Sequence, residues 1–145
     1  MKLVYAGFCV ALSMVLLVGC QTLSGQPEFR QANIAPKSLR PGDTAIITIK
    51  VEDRHQVISR IEGFVHGYPT IVLRLRDDGV EPDEIAKDGI WTMRVDVPYG
   101  FEGPPGEFEL EFTAYRSDGL PVEVRLDDGT VTPLTKTIPL LIEYQ

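Results

Sequence analysis

The stretch from Arg76 to Thr92, RDDGVEPDEIAKDGIWT, concentrates acidic side chains between two apolar alternating runs. Its six carboxylates belong to Asp77, Asp78, Glu81, Asp83, Glu84 and Asp88. Calcium takes about six to eight oxygen ligands, commonly from loops rich in Asp and Gly. The EF-hand spacing does not fit, because Gly79 and Glu81 stand at the third and fifth positions counted from Asp77. One interpretation is therefore an irregular calcium site formed by Asp77, Asp78, Asp83 and Asp88.

The same stretch also fits a connection that needs no ion. Pro82 suits the first position of a helical turn, with Lys87 near its end and Gly89 just beyond. Acidic residues after the proline and a lysine at the end match the helix dipole. The Asp–Gly pairs at 78–79 and 88–89 are common turn formers. This second interpretation predicts a short helical turn within 82–88 and requires no cofactor.

The residues offer little for catalysis. Paired carboxylates could serve glycoside hydrolysis, and His55 or His66 could act as a base. However, nothing near the acidic residues in sequence promises the desolvation that tunes catalytic carboxylates. No serine stands in a nucleophile-elbow pattern, and the two histidines lack metal-ligand spacing. We therefore expect a protein that is not an enzyme.

A Pro/Gly-rich stretch at 97–107, VPYGFEGPPGE, carries two aromatic residues, Tyr99 and Phe101. Aromatic side chains on a stiff loop could stack on a sugar or anchor a protein partner. Alternatively, Phe101 folds back and covers one end of the core. His66 and Tyr68 would join this surface only if their turn lies at the same end of the fold. The sequence thus predicts a surface for a partner or ligand at these four residues.

The elements that must position these residues are strands, because apolar and polar residues alternate along most of the chain. The predicted inward rows are Ala45, Ile47, Ile49 and Val51; Val57, Ile61 and Val65; Ile71, Leu73 and Leu75; Trp91, Met93, Val95 and Val97; Phe108, Leu110, Phe112 and Ala114; and Ile138, Leu140 and Ile142. A weaker strand at 29–34 and a hairpin at 123–133 complete the pattern. Turn residues between the rows predict an all-β, antiparallel immunoglobulin-like or fibronectin-like sandwich of about seven or eight strands.

The first 20 residues, MKLVYAGFCVALSMVLLVGC, have the plan of a secretory signal, with Lys2 ahead of an apolar run. The end of this run, Leu17-Val18-Gly19-Cys20, resembles the lipobox of bacterial lipoproteins. In that family the cysteine is acylated and becomes the new N-terminus. Gln21 after the cysteine resembles the pattern of lipoproteins sent to the outer membrane.

This resemblance implies a division of the chain into three parts. A signal peptide would occupy 1–19, the lipidated Cys20 and a short tether 20–28, and the folded domain 29–145. The mature chain would keep no free thiol and form no disulfide, because Cys9 lies within the signal. Its 21 acidic residues against 13 basic ones leave a formal charge of −8. Such a charge argues against nucleic acid or anionic headgroups as partners.

A second resemblance covers roughly residues 39–119. The segments LRDDGVEPDEIAKDGIWT and EFTAYRSDG resemble immunoglobulin-like modules of secreted and anchored bacterial proteins. The matching residues are Asp77-Asp78-Gly79, Asp83, Asp88-Gly89, Trp91-Thr92 and Tyr115 to Gly119. The resemblance implies a fold and a location outside the cytoplasm, and no reaction.

These observations lead to one hypothesis and one alternative. We expect a non-catalytic lipoprotein, anchored to the outer membrane of a bacterial envelope by its lipid, that binds another envelope protein or has a structural role. The alternative is a ligand-binding module for calcium or for a glycan.

Overall fold

Residues 25–100 and 102–144 are described by the computed structural model, and they form ten β-strands in three sheets. The strands are β1 (Glu28–Ala35), β2 (Ser38–Leu39), β3 (Thr44–Glu52), β4 (Arg60–Val65), β5 (Tyr68–Leu75), β6 (Ile90–Asp96), β7 (Gly106–Tyr115), β8 (Glu123–Arg125), β9 (Val131–Pro133) and β10 (Thr135–Ile142). A three-stranded sheet has the order β1-β3-β6, and a five-stranded sheet has the order β2-β10-β7-β4-β5. The predicted hairpin at 123–133 forms as β8 and β9. The all-β prediction is therefore confirmed.

Buried residues of the two larger sheets form a single core. Ile47 and Ile49 of β3 are fully buried, as is Phe112 of β7, and Leu110 is nearly so. Burial alternates along both strands because successive side chains of a strand point to opposite faces. The predicted inward rows in β3, β7 and β10 are thus confirmed. Trp91, predicted to belong to an inward row, is half-buried in β6 and packs against the core.

Two positions in the predicted inward rows are exposed instead. Val57 precedes β4 and is 38% exposed. The Asp53 carboxylate accepts hydrogen bonds from the backbone N–H groups of Val57, at 3.0 Å, and Ile58, at 2.8 Å. These bonds satisfy the backbone locally, so the segment before β4 forms a turn rather than a strand. Ile71 belongs to β5 as predicted but is 43% exposed, because it lines an opening between the sheets.

Strand pairing is antiparallel throughout the described residues except at one place. β2 runs parallel to β10 over two residue pairs, Ser38 with Leu141 and Leu39 with Ile142. The ten strands of the described residues comprise seven longer strands and three short ones, β2, β8 and β9. Leu39 is fully buried, so even the two-residue strand contributes to the core.

The two larger sheets meet along one side and separate along the other. On the first side, β1 contacts β10. On the second side, Arg76 and Thr92 form an antiparallel bridge with N–H···O distances of 2.8 Å in both directions. No other backbone pairing joins β5 to β6 in the part of the chain that the structure describes. The gap between these two edge strands is called here the open side.

The strand register divides the connecting segments between two ends. The acidic end carries the loops 53–59, 76–89 and 116–122, next to Glu52 of β3 and Tyr115 of β7. The open end carries the turns 40–43 and 66–67 and the loop 97–105. Strand β1 starts at the acidic end, since Glu28 pairs with Glu52. The chain that precedes the domain therefore enters at the acidic end.

The predictions for the N-terminal segment remain predictions. The signal peptide at 1–19, Cys20 and residues 21–24 of the tether lie outside the described residues. Within the described part, no helix is long and apolar enough to cross a membrane.

Candidate functional site

Three carboxylates converge in the loop between β5 and β6. Asp77, Asp83 and Asp88 each offer an oxygen, and these oxygens lie within 4.8 Å of one another. Asp78 does not join them, because its Oδ2 pairs with the Arg76 guanidinium at 2.5 Å and its Oδ1 accepts the Val80 N–H at 3.0 Å. The structure thus brings together three of the four predicted metal ligands.

Hydrogen bonds to backbone N–H groups hold these carboxylates in place. Asp77 accepts from the N–H groups of Asp88 and Gly89, both at 3.2 Å. Asp83 is only 4% exposed and accepts from the Gly79 N–H at 2.5 Å. The loop therefore has a structural use for its acids that does not depend on an ion.

The predicted helical turn within 82–88 is wrong. This segment consists of turns and bends, and Lys87 adopts a left-handed φ of 60°. The Asp83 N–H bonds to the Val80 carbonyl three residues earlier, which closes a single turn. The N–H groups of Lys87 and Asp88 bond to the carbonyl and the carboxylate of Asp77 rather than to carbonyl groups four residues earlier, as a helix would require. Short polar side chains compete with helices in this way.

The open end carries the other predicted binding residues. His66 belongs to the β4–β5 turn, and Tyr68 begins β5. Tyr99 lies in the 97–105 loop at the same end and is 88% exposed, with its ring against Gly42 of the 40–43 turn. Phe101 lies outside the described residues. The condition for a shared surface, that both turns occupy one end of the fold, is met.

His66 is engaged by the neighbouring strand. Its Nδ1 lies 3.1 Å from a carboxylate oxygen of Glu109, and its Nε2 lies 3.0 Å from one of Glu111. The Phe64 ring stacks on the imidazole, with centroids 5.4 Å apart. Both ring nitrogens donate hydrogen bonds only when the imidazole is protonated. These contacts leave His66 only partly available to a partner.

Tyr68 belongs to a group of aromatic side chains at the open end. Its ring lies 6.1 Å from that of Phe108, centroid to centroid. Desolvation, and then the proximity of Tyr68, raises the pKa of Tyr144 above its ordinary value of 10.0. The Tyr144 hydroxyl donates to the Gly103 carbonyl at 2.6 Å. The aromatic residues thus connect β5, β7, the C-terminal segment and the 97–105 loop.

A cavity of about 240 Å³ lies between the separated sheets. Its walls include Ile71 of β5, Val95 of β6, Val97 just after β6, and the buried Leu110 and Ile142 of the five-stranded sheet. The sequence analysis missed this cavity. The consecutive apolar residues 71–73 interrupt the alternation and indicate an apolar strand edge, but no local pattern shows that two sheets separate.

Asp96 lies at this cavity. Among the described residues that line the cavity, it is the one with a charged side chain. Its Oδ1 accepts a hydrogen bond from the Thr44 hydroxyl at 2.5 Å and one from the Arg94 Nε at 3.2 Å. These two bonds lower the pKa of Asp96 below its ordinary value of 3.8. The carboxylate is therefore ionised at neutral pH.

Several exposed carboxylates accept hydrogen bonds of this kind, and their lowered pKa values predict how the stability of the fold depends on pH. Hydrogen bonds and neighbouring arginines lower the pKa values of Asp78, Asp96, Asp118 and Asp128 below 3.8 and that of Glu52 below 4.5. When folding lowers the pKa of a carboxyl, that group stabilises the fold at pH values above its unfolded-state pKa. This contribution disappears as the pH falls through the folded-state pKa.

The melting temperature should therefore change little between pH 7 and about pH 5 and decrease below about pH 4.5. Thermal melts at stepped pH values test this expectation. Asp96→Asn should show a smaller decrease than wild type, because it removes one of the titrating groups. A melting temperature that rises on acidification below pH 4.5 would contradict the prediction.

No protein-family model matches this chain, and no curated protein sequence matches it. Among solved structures, the alkylpurine DNA glycosylase AlkC of Pseudomonas fluorescens, bound to DNA with an abasic site analog, is similar over 83% of this chain with 8% identity and a TM-score of 0.45. This chain spans 31% of the glycosylase chain. A Niemann-Pick type C2 protein from the Japanese carpenter ant is similar over 81% of this chain and 93% of its own, with 11% identity and a TM-score of 0.43. Similarities this low transfer neither activity nor ligand.

Proposed function

We propose that the protein is a lipid-anchored, non-catalytic module of a bacterial outer membrane that binds another envelope protein. In this proposal the two larger sheets are an immunoglobulin-like or fibronectin-like sandwich, and Cys20 carries the lipid. The observation that carries the proposal is the apolar surface that Tyr68, Ile71, Val72 and Tyr99 expose along the open side and at the open end, away from the acidic end at which the chain enters the domain. The acidic end also exposes apolar side chains, among them Ile85, Leu120 and Leu126, but these belong to its loops and to the β8–β9 hairpin.

This arrangement would orient the domain on the membrane. Residues 21–24 separate Cys20 from Gly25, and an extended chain spans at most about 3.6 Å per residue. The acidic end would therefore lie close to the membrane. Strand β3 has nine residues and runs from the open end to the acidic end, a length of about 30 Å. The open end would face away from the membrane, toward other proteins.

Strand β5 supplies a surface that suits a protein partner. It is the last strand of the five-stranded sheet, so one of its edges is unpaired within that sheet. Val72 is 57% exposed and Tyr68 is 37% exposed. An extended segment of a partner can add to such an edge through backbone hydrogen bonds and apolar side-chain contacts. The formal charge of −8 on residues 20–145, which have 13 basic and 21 acidic residues, makes nucleic acid an unsuitable partner.

Site-specific photo-crosslinking in intact cells tests the proposal. A photoreactive phenylalanine analogue at Val72 or Tyr99 should give a specific adduct with another envelope protein. The same analogue at Asp127, an exposed residue of the β8–β9 hairpin, is the control and should give little adduct. Equal yields from all three positions, or an adduct from Asp127 alone, would contradict the proposal.

Calcium binding at the acidic end is a second candidate function. It is favoured by the convergence of the buried Asp83 with Asp77 and Asp88. Three adjacent carboxylates repel one another, and a divalent cation would neutralise them while backbone carbonyls and water complete its coordination.

Calcium should then stabilise the fold by about 2.7 kcal/mol at a free concentration 100 times the Kd, and a chelator should reverse the effect. Asp88→Ala should abolish this stabilisation. Asp78→Ala is the matched control and should retain it, because Asp78 lies outside the cluster. A melting temperature insensitive to calcium and chelator would exclude this function.

A further inference from the structure

The β8–β9 hairpin is bonded to the segment through which the chain enters the domain. The Gln26 side chain pairs with the backbone of Arg125 in β8, accepting its N–H at 2.6 Å and donating to its carbonyl at 3.0 Å. An amide that both donates to and accepts from one residue has its position and its direction fixed. Residues 25–28 also line a cleft together with Val124 and Leu126 of the hairpin. The entering chain and the hairpin are therefore held side by side.

Exposed aliphatic side chains occur on the hairpin and on every loop of the acidic end. Leu126 and Val131, on the two sides of the hairpin turn, are 47% and 48% exposed. The loops 53–59, 76–89 and 116–122 expose Val57, Ile85 and Leu120, respectively. One exposed aliphatic residue is ordinary on a protein surface, because polar atoms cannot cover the whole of it. A set of them at a single end, each on a separate loop, indicates a contact surface.

The length of the tether decides what this surface meets. In the proposed function, on which this reasoning rests, Cys20 carries the lipid. Gln26 follows Cys20 by six residues, so an extended chain spans at most about 22 Å between them. The hairpin bonded to Gln26 therefore stays near the bilayer. Contact with the bilayer is then an event within one anchored molecule, and a few apolar side chains suffice to maintain it.

The charge of the acidic end restricts the kind of bilayer. The 76–89 loop holds six carboxylates against two basic side chains, and Asp127 and Asp128 are exposed at the hairpin turn. Anionic headgroups attract basic surfaces and repel acidic ones. Headgroups without net charge, in contrast, allow apolar side chains to enter the boundary between headgroups and acyl chains.

We propose that the β8–β9 hairpin rests on the surface of a bilayer whose headgroups carry no net charge, with Leu126 and Val131 among the headgroups. The bonds from Gln26 set the position of the hairpin relative to the lipid anchor. Val57, Ile85 and Leu120 of the neighbouring loops meet the same surface. The bilayer thus covers the apolar side chains of the acidic end and leaves the open end to the protein partner.

Fluorescence quenching in vesicles tests the proposal. The lipidated protein is reconstituted in phosphatidylcholine with a nitrobenzoxadiazole label on Thr130→Cys, at the hairpin turn, or on Tyr99→Cys, at the open end. Both positions are exposed. Because processing would remove Cys9 and acylate Cys20, the introduced cysteine is the one free thiol of the mature chain. A phospholipid with a nitroxide next to its headgroup should quench the label at residue 130 at least about threefold more strongly than the label at residue 99.

Leu126→Asp should remove this difference, and Val72→Asp is its matched control. Each variant places a carboxylate where an exposed aliphatic side chain stood, since Leu126 is 47% and Val72 is 57% exposed. Leu126→Asp should reduce the quenching at residue 130 to the level at residue 99, because a charged side chain stays in water. Val72→Asp, on the open side, should leave the quenching unchanged. Thermal melts verify that both variants are folded.

Three results would overturn the proposal. The first is equal quenching at residues 130 and 99 in protein with the wild-type hairpin, which would leave these apolar side chains to a protein partner or a second copy. The second is unchanged quenching in folded Leu126→Asp. The third is stronger quenching when phosphatidylglycerol replaces part of the phosphatidylcholine, since the acidic end should make it weaker.

The lipid anchor is measured separately, so that the bilayer contact and the proposed function fail in different ways. Mass spectrometry of the N-terminal peptide reports whether Cys20 is acylated. An unmodified Cys20 would overturn both the lipid-anchored function and the contact. An acylated Cys20 with equal quenching at the two labelled positions would overturn the contact alone.

Discussion

Phe112→Ala is expected to lower the free energy of unfolding by about 3–5 kcal/mol. Phe112 is fully buried in β7, a strand that pairs with both β10 and β4. Its ring also packs on Gly63 of β4, where an added Cβ would lie 2.6 Å from the Phe112 Cδ1. Removing the ring leaves a void that two hydrogen-bonded neighbouring strands cannot close. The loss therefore includes both the transfer energy of the side chain and the energy of the cavity.

Urea unfolding, followed by the fluorescence of Trp91, measures this loss. Tyr99→Ala is the control, since it also removes an aromatic ring but from a residue that is 88% exposed. The control should change the free energy of unfolding by no more than about 0.5 kcal/mol. Similar losses for the two variants would mean that β7 does not form the centre of the core.

Asp77→Ala is expected to destabilise the protein by about 1–3 kcal/mol in the absence of divalent cations. The Asp77 carboxylate accepts hydrogen bonds from the N–H groups of Asp88 and Gly89 across the loop. The substitution leaves both donors without this partner. It also loosens the loop next to the Arg76–Thr92 bridge, which is where the two sheets are joined on the open side.

Asp88→Asn serves as the contrast in the same loop. The Asp88 Oδ1 accepts a hydrogen bond from the Ile90 N–H at 2.8 Å, and the side-chain oxygen of asparagine can accept the same bond. It removes one of three mutually repelling charges, so we expect no loss or a gain of up to about 1 kcal/mol that decreases at high salt. Thermal and urea unfolding with a chelator present compare the variants. Destabilisation by Asp88→Asn to the same degree as Asp77→Ala would contradict a structural role specific to Asp77.

Much of the candidate site was predictable from residue types and much was not. The acidic loop and the exposed Tyr99 follow from composition and turn residues. Composition does not show that Asp78 lies apart from Asp77, Asp83 and Asp88. That separation depends on which carboxylate pairs with Arg76 and which ones accept hydrogen bonds from the N–H groups of residues 79, 88 and 89. For the same reason the helical turn within 82–88 was predicted incorrectly.

The sequence by itself determined the all-β fold and most of the residues that face the core. Alternation along β3, β7 and β10 is a local property, since each side chain points to the face opposite to that of its neighbour. Local turn chemistry likewise determined the hairpin at 123–133. The lipobox resemblance at Cys20 also rests on sequence alone.

Only the tertiary structure decided how the two sheets meet. The bridge between Arg76 and Thr92 and the separation of β5 from β6 beyond it depend on contacts between residues distant in the chain. That arrangement exposes Ile71, although its alternation predicts an inward position. It also places Tyr68, Val97 and Ile142 around one cavity. Periodicity reports which face of a strand a residue occupies, whereas the distance between two faces is set by the packing of the whole core.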